Sequence, residues 1–132
     1  MKHYDYILAG GGMAADAAID GIRQGDPNGS ILLVGSEADP PYDRPPLTKD
    51  PDAEVDLRSA MGVDVWAHAD EVRPGVGATR LVVGGDGPVV LCSDGREVGA
   101  RAVVAACGAD AVLPPGWTGT GVHALHTRRD AA

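Results

Sequence analysis

Phenylalanine is absent from the sequence, and two tryptophans and three tyrosines are its only aromatic residues. A hydrophobic core must therefore be assembled mainly from alanine, valine and leucine, which bury less apolar area per side chain than aromatic residues do. The 132 residues suffice for one domain, residues 1–132, and are too few for a cofactor domain joined to a separate substrate domain. We therefore expect a single domain with a thin core.

Basic residues are also scarce. Eleven lysines and arginines stand against nineteen acidic residues, which gives a formal net charge of -8. Proteins that bind nucleic acid present clustered cations to the phosphates, so this balance argues against DNA or RNA as a partner. A small anionic ligand is still compatible with the composition where local donors outweigh the overall charge.

Long apolar runs and targeting signatures are missing too. No run approaches membrane-spanning length, and the first residues lack the small-residue cleavage site of a secretory signal, so we expect no membrane partner and a cytoplasmic location. The two cysteines, Cys92 and Cys107, form neither a CxxC pair nor a metal-spaced set. This spacing predicts two reduced thiols in apolar surroundings and no metal site.

The first 35 positions show a regular alternation of elements. Residues 4–9 read as a buried strand that ends in three glycines, and residues 13–24 carry alanines and isoleucines at helical spacing before Gly25. Residues 30–34 form a second apolar strand. A right-handed crossover makes the two strands parallel neighbours, so we predict an α/β fold.

The second half of the chain has a weaker pattern. Residues 52–61 are a modest helix candidate and residues 62–67 a predicted third strand. Turn signals GDGP and SDG then separate β-rich runs, which predicts a small antiparallel meander followed by a returning buried strand. These runs span residues 79–84, 88–93 and 96–100, the returning strand spans 100–108, and residues 109–132 have loop composition.

The glycines after the first strand carry a chemical signal. Gly10, Gly12 and Ala15 satisfy GxGxx(G/A), in which the first residue permits a tight turn, the second admits a phosphate and the third packs the helix on the strand. The free amides at the helix start, those of Met13 and Ala14 among them, would then favour an anionic diphosphate. A merely structural strand-to-helix turn is the competing interpretation.

Acidic and basic side chains follow the second strand. Glu37 stands where an acidic residue accepts hydrogen bonds from a ribose 2′-hydroxyl in this architecture. A solvated surface glutamate is the competing interpretation, and the glycine turn favours the ribose. The run YDRPPLTK at residues 42–49 then places Arg44 and Lys49 at the same end of the sheet. Arg44 is suited to a bidentate grip on a diphosphate, and Lys49 to a movable point charge.

Several stretches together resemble one known family. They are YDYILAGGGMAADAA, GSEADPPYDRPPLTK, the GDG and SDGREV turns and VVAACGADAVLP, which together cover nearly the whole chain. These stretches are similar to the FAD-binding segment of the ferredoxin, rubredoxin and putidaredoxin reductases, including apoptosis-inducing-factor-like proteins. The resemblance implies a Rossmann-like three-layer FAD-binding domain, with a central parallel sheet and the small meander.

The resemblance also assigns roles to residues. It implies that the glycines and Glu37 hold the ADP half of FAD, that Arg44 and Lys49 lie along the diphosphate and flavin, and that Val72 meets the adenine. Ala106 and Gly108 stand at the family's Ala-Thr-Gly sequence, with Cys107 between them. No disulfide chemistry is implied, because the segment that replaces the CxxxxC helix of related reductases has no cysteine.

The chain departs from that family at its end. It stops where the family's NAD-binding domain would begin, and it lacks the later strand that secures the ribityl phosphate. The returning strand at residues 102–106 would then be an exposed apolar edge, which proteins normally cover. We expect the tail at residues 117–127, a second copy or a partner protein to cover it, and we favour a homo-oligomer.

Three hypotheses follow. The first is an FAD-binding domain or subunit of a flavin oxidoreductase, redox-competent only with a partner that supplies the nicotinamide site. The second is a homologue that has lost FAD and acts as a non-redox cyclase or isomerase, and the third is a cofactor-free interaction module. For the second hypothesis, the candidate acid–base groups are His68, His123, His126 and Asp110. The sequence singles out none of them as catalytic. Trp66 and Trp117 fit core packing or an edge cover better than a ligand wall.

Overall fold

The computed structural model describes residues 1–50, 52, 55 and 65–132. Within them lie six strands, an α-helix of three turns, a short second helix and a 3₁₀ helix. In chain order they are β1 (Lys2–Ala9), α1 (Met13–Gly25), β2 (Ile31–Gly35), α2 (Pro46–Lys49), the 3₁₀ helix (Val65–His68), β3 (Glu71–Pro74), β4 (Ala78–Gly84), β5 (Gly87–Cys92) and β6 (Glu97–Ala105).

All six strands belong to one mixed sheet. Its order is β3-β2-β1-β6-β5-β4. The pairs β3–β2, β2–β1 and β1–β6 are parallel, whereas β6–β5 and β5–β4 are antiparallel. The predicted combination of a central parallel sheet and a small antiparallel meander is therefore confirmed.

Two apolar clusters lie on opposite faces of this sheet. Successive side chains of a strand point to opposite faces, and neighbouring Ile7 and Leu8, both fully buried, belong to different clusters. Leu8 packs with Ala15 and Ile19 of α1. Ile7 packs with Val90 of the meander. The sheet is thus covered on both faces, and all five residues of β2 are buried.

The predicted third strand at residues 62–67 is wrong over the part that the structure describes. Residues 65–68 form the 3₁₀ helix, and Trp66 packs against the cluster under α1, which confirms core packing for this tryptophan. The third strand is Glu71–Pro74 instead. The described part of this run is a single short turn, which is too short for its apolar pattern to distinguish a strand from a helix. The predicted helix at residues 52–61 lies outside the described residues, apart from 52 and 55.

Two predicted strands are in fact one. The runs at residues 96–100 and 100–108 form the continuous strand β6, which ends at Ala105. Its first part, from Glu97 to Gly99, pairs with β5, and the strand also pairs with β1 along most of its length, from Val98 to Ala105. One strand therefore belongs to both the meander and the parallel sheet, and no turn separates the two predicted runs.

The outer side of β6, on which β5 pairs with residues 97–99, is open over residues 101–105 in the described part of the chain. Among the described residues no strand pairs with that side, and Ala102, Val103 and Val104 are only partly buried. The tail does not cover this edge with a strand, and Trp117 in the tail is 61% exposed. The predicted exposed edge is therefore present. In the part of the chain that the structure describes, no helix is both long and apolar enough to cross a membrane.

Candidate functional site

A cleft of about 730 Å³ opens at the carboxyl ends of β1, β2 and β6. One side of it, here called the backbone wall, consists of residues 10–14 after β1 and residues 106–108 after β6. The facing side, here called the side-chain wall, consists of lining residues between 37 and 48 together with residues 125–127 of the tail. Ligands of open α/β sheets bind at this end of the strands.

Close backbone contacts fix the backbone wall. A Cβ atom on Gly10, whose φ is +128°, would lie 2.0 Å from the carbonyl oxygen of Ala106. A Cβ on Gly35 would lie 2.9 Å from the Cα of Gly11. The amide of Gly10 donates to the carbonyl of Val34 at 2.8 Å. The turn after β1 is therefore glycine-rich for reasons of packing.

Gly12 differs from these glycines. A Cβ there would meet no atom within 4 Å, and its φ of -100° is open to any residue. It is the N-cap of α1 and makes no side-chain cap, so the first amides of the helix receive no such acceptor. Met13 and Ala14 also line the cleft. Folding alone does not require glycine at this position. The absence of a side chain on Gly12 leaves space in front of the N-terminus of α1.

Glu37 and Arg44 form an ion pair in the side-chain wall. Arg44 Nη2 lies 2.5 Å from Glu37 Oε1, and the hydroxyl of Tyr42 donates to Glu37 Oε2 at 2.6 Å. Burial opposes ionisation of Glu37, but the hydrogen bonds from Arg44 and Tyr42 outweigh it and lower the pKa of the carboxyl. Glu37 therefore presents a carboxylate to the cleft at neutral pH.

The tail reaches the same pair. Arg44 Nη1 donates to the carbonyl of His126, and the amide of Arg128 donates to the hydroxyl of Tyr42 at 2.8 Å. Arg44 was predicted to grip an anion with both arms of its guanidinium. In the structure those arms contact Glu37 and the tail, and a guanidinium with five donors keeps further N–H groups for an anion.

The other residues predicted from the glycine motif and the resemblance divide into two groups. Ala106 and Gly108 line the cleft. Ala15 is fully buried under β1, Lys49 is exposed at the end of α2, and Val72 lies in β3 and packs against the cluster under α1. The structure thus assembles eight of the eleven predicted residues around the cleft and leaves these last three outside its lining.

The cysteines and the acid–base candidates also separate. Both cysteines are free and Cys92 is buried, but Cys107 is exposed at the cleft, where its thiol donates to the carbonyl of Ala9 at 3.1 Å. The expectation of apolar surroundings is therefore wrong for Cys107, because the chain leaves the sheet at Ala105. Asp110 and His126 line the cleft, whereas His68 and His123 do not. Among the described residues no His, Cys, Asp and Glu side chains group as metal ligands would.

Sequence reasoning missed part of the side-chain wall. Tyr42, which lies behind that wall, was quoted within the YDRPPLTK run but given no role. The tail was expected to cover the edge of β6 or, through His126, to supply an acid–base group, and its contact with Arg44 and Tyr42 was not predicted. One local signal was available in the tail. The amide of Thr127 donates to Asp130 at 2.7 Å and the amide of Asp130 donates back to the Thr127 hydroxyl at 3.2 Å, the reciprocal pattern of a T-x-x-D capping box.

Comparison with known proteins places this cleft in context. No family model matches the chain. The probable ferredoxin reductase CtmF of Castellaniella defragrans is 33% identical over 95% of this chain and 32% of its own length. Apoptosis-inducing factor 1 of Dictyostelium discoideum is 47% identical over 49 residues, which are 37% of this chain and 9% of that protein.

Solved structures agree with these sequences. The crystal structure of Fdr9 matches with a TM-score of 0.76 and 34% identity, over 99% of this chain and 32% of that one. Putidaredoxin reductase, in its covalent complex with putidaredoxin, matches with a TM-score of 0.79 and 25% identity, over 98% of this chain and 32% of that one. The chain thus spans about a third of CtmF and of both structures. The predicted resemblance to ferredoxin and putidaredoxin reductases and apoptosis-inducing-factor-like proteins is confirmed, and the fold matches their Rossmann-like FAD-binding domain.

Proposed function

We propose that this homologue of the ferredoxin and putidaredoxin reductases binds FAD as one domain or subunit of a flavin oxidoreductase. The observation that carries the proposal is Gly12. Gly10 and Gly35 are required by backbones that cross in van der Waals contact, but nothing in the fold fills the space beside Gly12. A glycine that packing does not require, at a helix N-terminus and in a cleft, is suited to the close approach of a phosphate.

The described residues fit the adenylate half of this cofactor. The amides of Met13 and Ala14 would hold the diphosphate, and the carboxylate of Glu37 would accept from the ribose hydroxyls. Arg44 would supply a positive charge beside the diphosphate, against an overall charge of -8. When FAD is bound, its chemistry is uptake of a hydride from a nicotinamide and release of single electrons.

Redox activity would need a partner. CtmF and the two matching structures are about three times as long as this chain. We propose that another polypeptide supplies the nicotinamide site. The open side of β6 at residues 101–105 supports this proposal, because the unpaired edge of an apolar strand can form hydrogen bonds with a second copy or a partner protein. We place the protein in the cytoplasm, as its unpaired cysteines suggest.

The affinity of the chain alone can be estimated. FAD has about 53 heavy atoms, which at roughly 0.3 kcal/mol each allows about 16 kcal/mol of binding free energy. Contacts to the adenylate half alone provide about 8 kcal/mol, which corresponds to a micromolar Kd. FAD and ADP should therefore bind with similar micromolar affinity.

Calorimetric titration of the purified protein with FAD and ADP tests the proposal. The Gly12→Val variant should bind both ligands at least about tenfold more weakly, because its side chain would fill the space for the phosphate. Gly21→Val is the matched control, since Gly21 lies on the exposed face of α1 with no atom within 4 Å of an added Cβ. Wild-type protein that binds neither ligand, or equal losses in both variants, would contradict the proposal.

A further inference from the structure

Tyr42 joins two segments that are far apart in the sequence. Its hydroxyl donates to Glu37 Oε2 at 2.6 Å and accepts from the backbone amide of Arg128 at 2.8 Å. Its ring lies beneath two guanidinium groups, with its centroid 5.1 Å from the Cζ of Arg44 and 6.0 Å from that of Arg128. One side chain therefore contacts the acid, the arginine and the tail of the side-chain wall.

The surroundings of Tyr42 hold this side chain in place. It is only 4% exposed, and it packs with Leu47 and Val55 in a small apolar cluster. Burial and the hydrogen bond to Glu37 raise the pKa of its hydroxyl, so the group stays a donor at neutral pH. A buried hydroxyl that both donates and accepts fixes the distance between its two partners.

The charges around this hydroxyl come from both segments. Arg44 pairs with Glu37, while Arg128 of the tail lies 3.8 Å from Asp39. The carbonyl of His126 accepts from Arg44, so the tail contacts the pair directly as well as through Tyr42. Displacement of the tail would therefore remove one acceptor from Arg44 and one donor from Tyr42 together.

We propose that Tyr42 is a positioning residue, which couples the tail at residues 126–128 to the Glu37–Arg44 pair and thereby sets the geometry of the nucleotide cleft. This inference rests on the proposed function for its ligand. The coupling acts in both directions: seating of the tail orients the carboxylate and the guanidinium, and an adenine nucleotide held by those groups secures the tail.

Hydrogen–deuterium exchange of the ligand-free protein provides the first test. Tyr42→Phe keeps the ring but removes the acceptor for the Arg128 amide, so peptides that contain residues 126–130 should exchange faster than in the wild type. Tyr6→Phe is the matched control, because it removes a hydroxyl that bonds to Asp26 instead. Unchanged exchange of the tail in Tyr42→Phe, with an intact thermal transition, would overturn the inference whether or not a nucleotide binds.

A double-mutant cycle on ADP binding provides the second test. Tyr42→Phe alone should weaken ADP binding about tenfold, as expected when a carboxylate loses a hydrogen-bond donor. Because Tyr42 acts through Glu37, the double variant Tyr42→Phe with Glu37→Gln should bind no more weakly than Glu37→Gln alone. Losses that multiply would overturn the inference and leave the proposed function standing, whereas wild-type protein without ADP affinity would overturn both.

Discussion

The two walls of the cleft are built by different means. In the backbone wall the chain itself sets the geometry, since Gly10 and Ala106 approach closely enough to exclude any side chain. In the side-chain wall, Arg44 pairs with Glu37 and donates to the tail, and Tyr42 behind the wall hydrogen-bonds to both Glu37 and the tail. We infer that the backbone wall is part of the folded core, whereas the side chains of the other wall can be rearranged without unfolding the protein.

The largest effect should come from breaking the backbone wall. Gly10→Ala introduces a methyl group 2.0 Å from the carbonyl oxygen of Ala106 and places it on a residue with a φ of +128°. We expect the free energy of unfolding, measured by urea denaturation, to fall by about 3 kcal/mol or more. Gly12→Ala should change it by no more than about 1 kcal/mol. Equal stability of the two variants would remove the distinction between these glycines.

Breaking the side-chain wall should affect binding more than folding. Arg44→Ala removes the cation of a pair whose two side chains are about a third exposed, so we expect a stability change within about 1 kcal/mol. ADP binding should weaken about tenfold by calorimetry. Arg44→Lys keeps the charge without the fork and should recover part of that loss. A large loss of stability in Arg44→Ala would show that this wall also belongs to the core.

A substitution outside both walls sharpens the comparison. Gly21 lies on the exposed face of α1, and an added Cβ would meet no atom within 4 Å. Gly21→Ala should therefore raise the free energy of unfolding by about 0.5–1 kcal/mol, because alanine restricts the unfolded chain and favours helix. If Gly21→Ala instead lowers the free energy of unfolding, a decrease in Gly10→Ala could not be attributed to the close approach of two backbones.

Acid should weaken the side-chain wall selectively, with the smallest effect. The pKa of Glu37 is lower in the folded protein than its ordinary value of 4.5. The stability contributed by this carboxylate is therefore present above about pH 4.5 and is lost as the pH falls through the lower folded value. Denaturation of the wild type and of Glu37→Gln across that range should show a difference that disappears in acid. A constant difference would indicate that Glu37 contributes through packing alone.

The first half of the fold could be predicted from local patterns. Two short apolar runs, and alanines and isoleucines at helical spacing between them, define β1, α1 and β2 within one or two residues at each end. The burial of β2 on both faces also follows from its unbroken apolar run. Glu37 and Arg44 were found because they follow β2 directly, at the end of the sheet where ligands bind.

The features that were missed depend on distant contacts. Tyr42 and Arg128 are 86 positions apart, and no local pattern shows that a tail of loop composition returns to the cleft. The union of two predicted strands in β6 has the same cause, since the partners of that strand come from both ends of the fold. Val65–His68 was misread because four residues are too few to separate the two periodicities.

The continuity of β6 has a consequence for how this domain melts. The same nine-residue strand is hydrogen-bonded to β1 in the Rossmann half and to β5 in the hairpin half. The hairpin therefore cannot detach without exposing backbone groups of β6 beside the start of β1. The two halves should lose their protection from solvent exchange in a single cooperative transition.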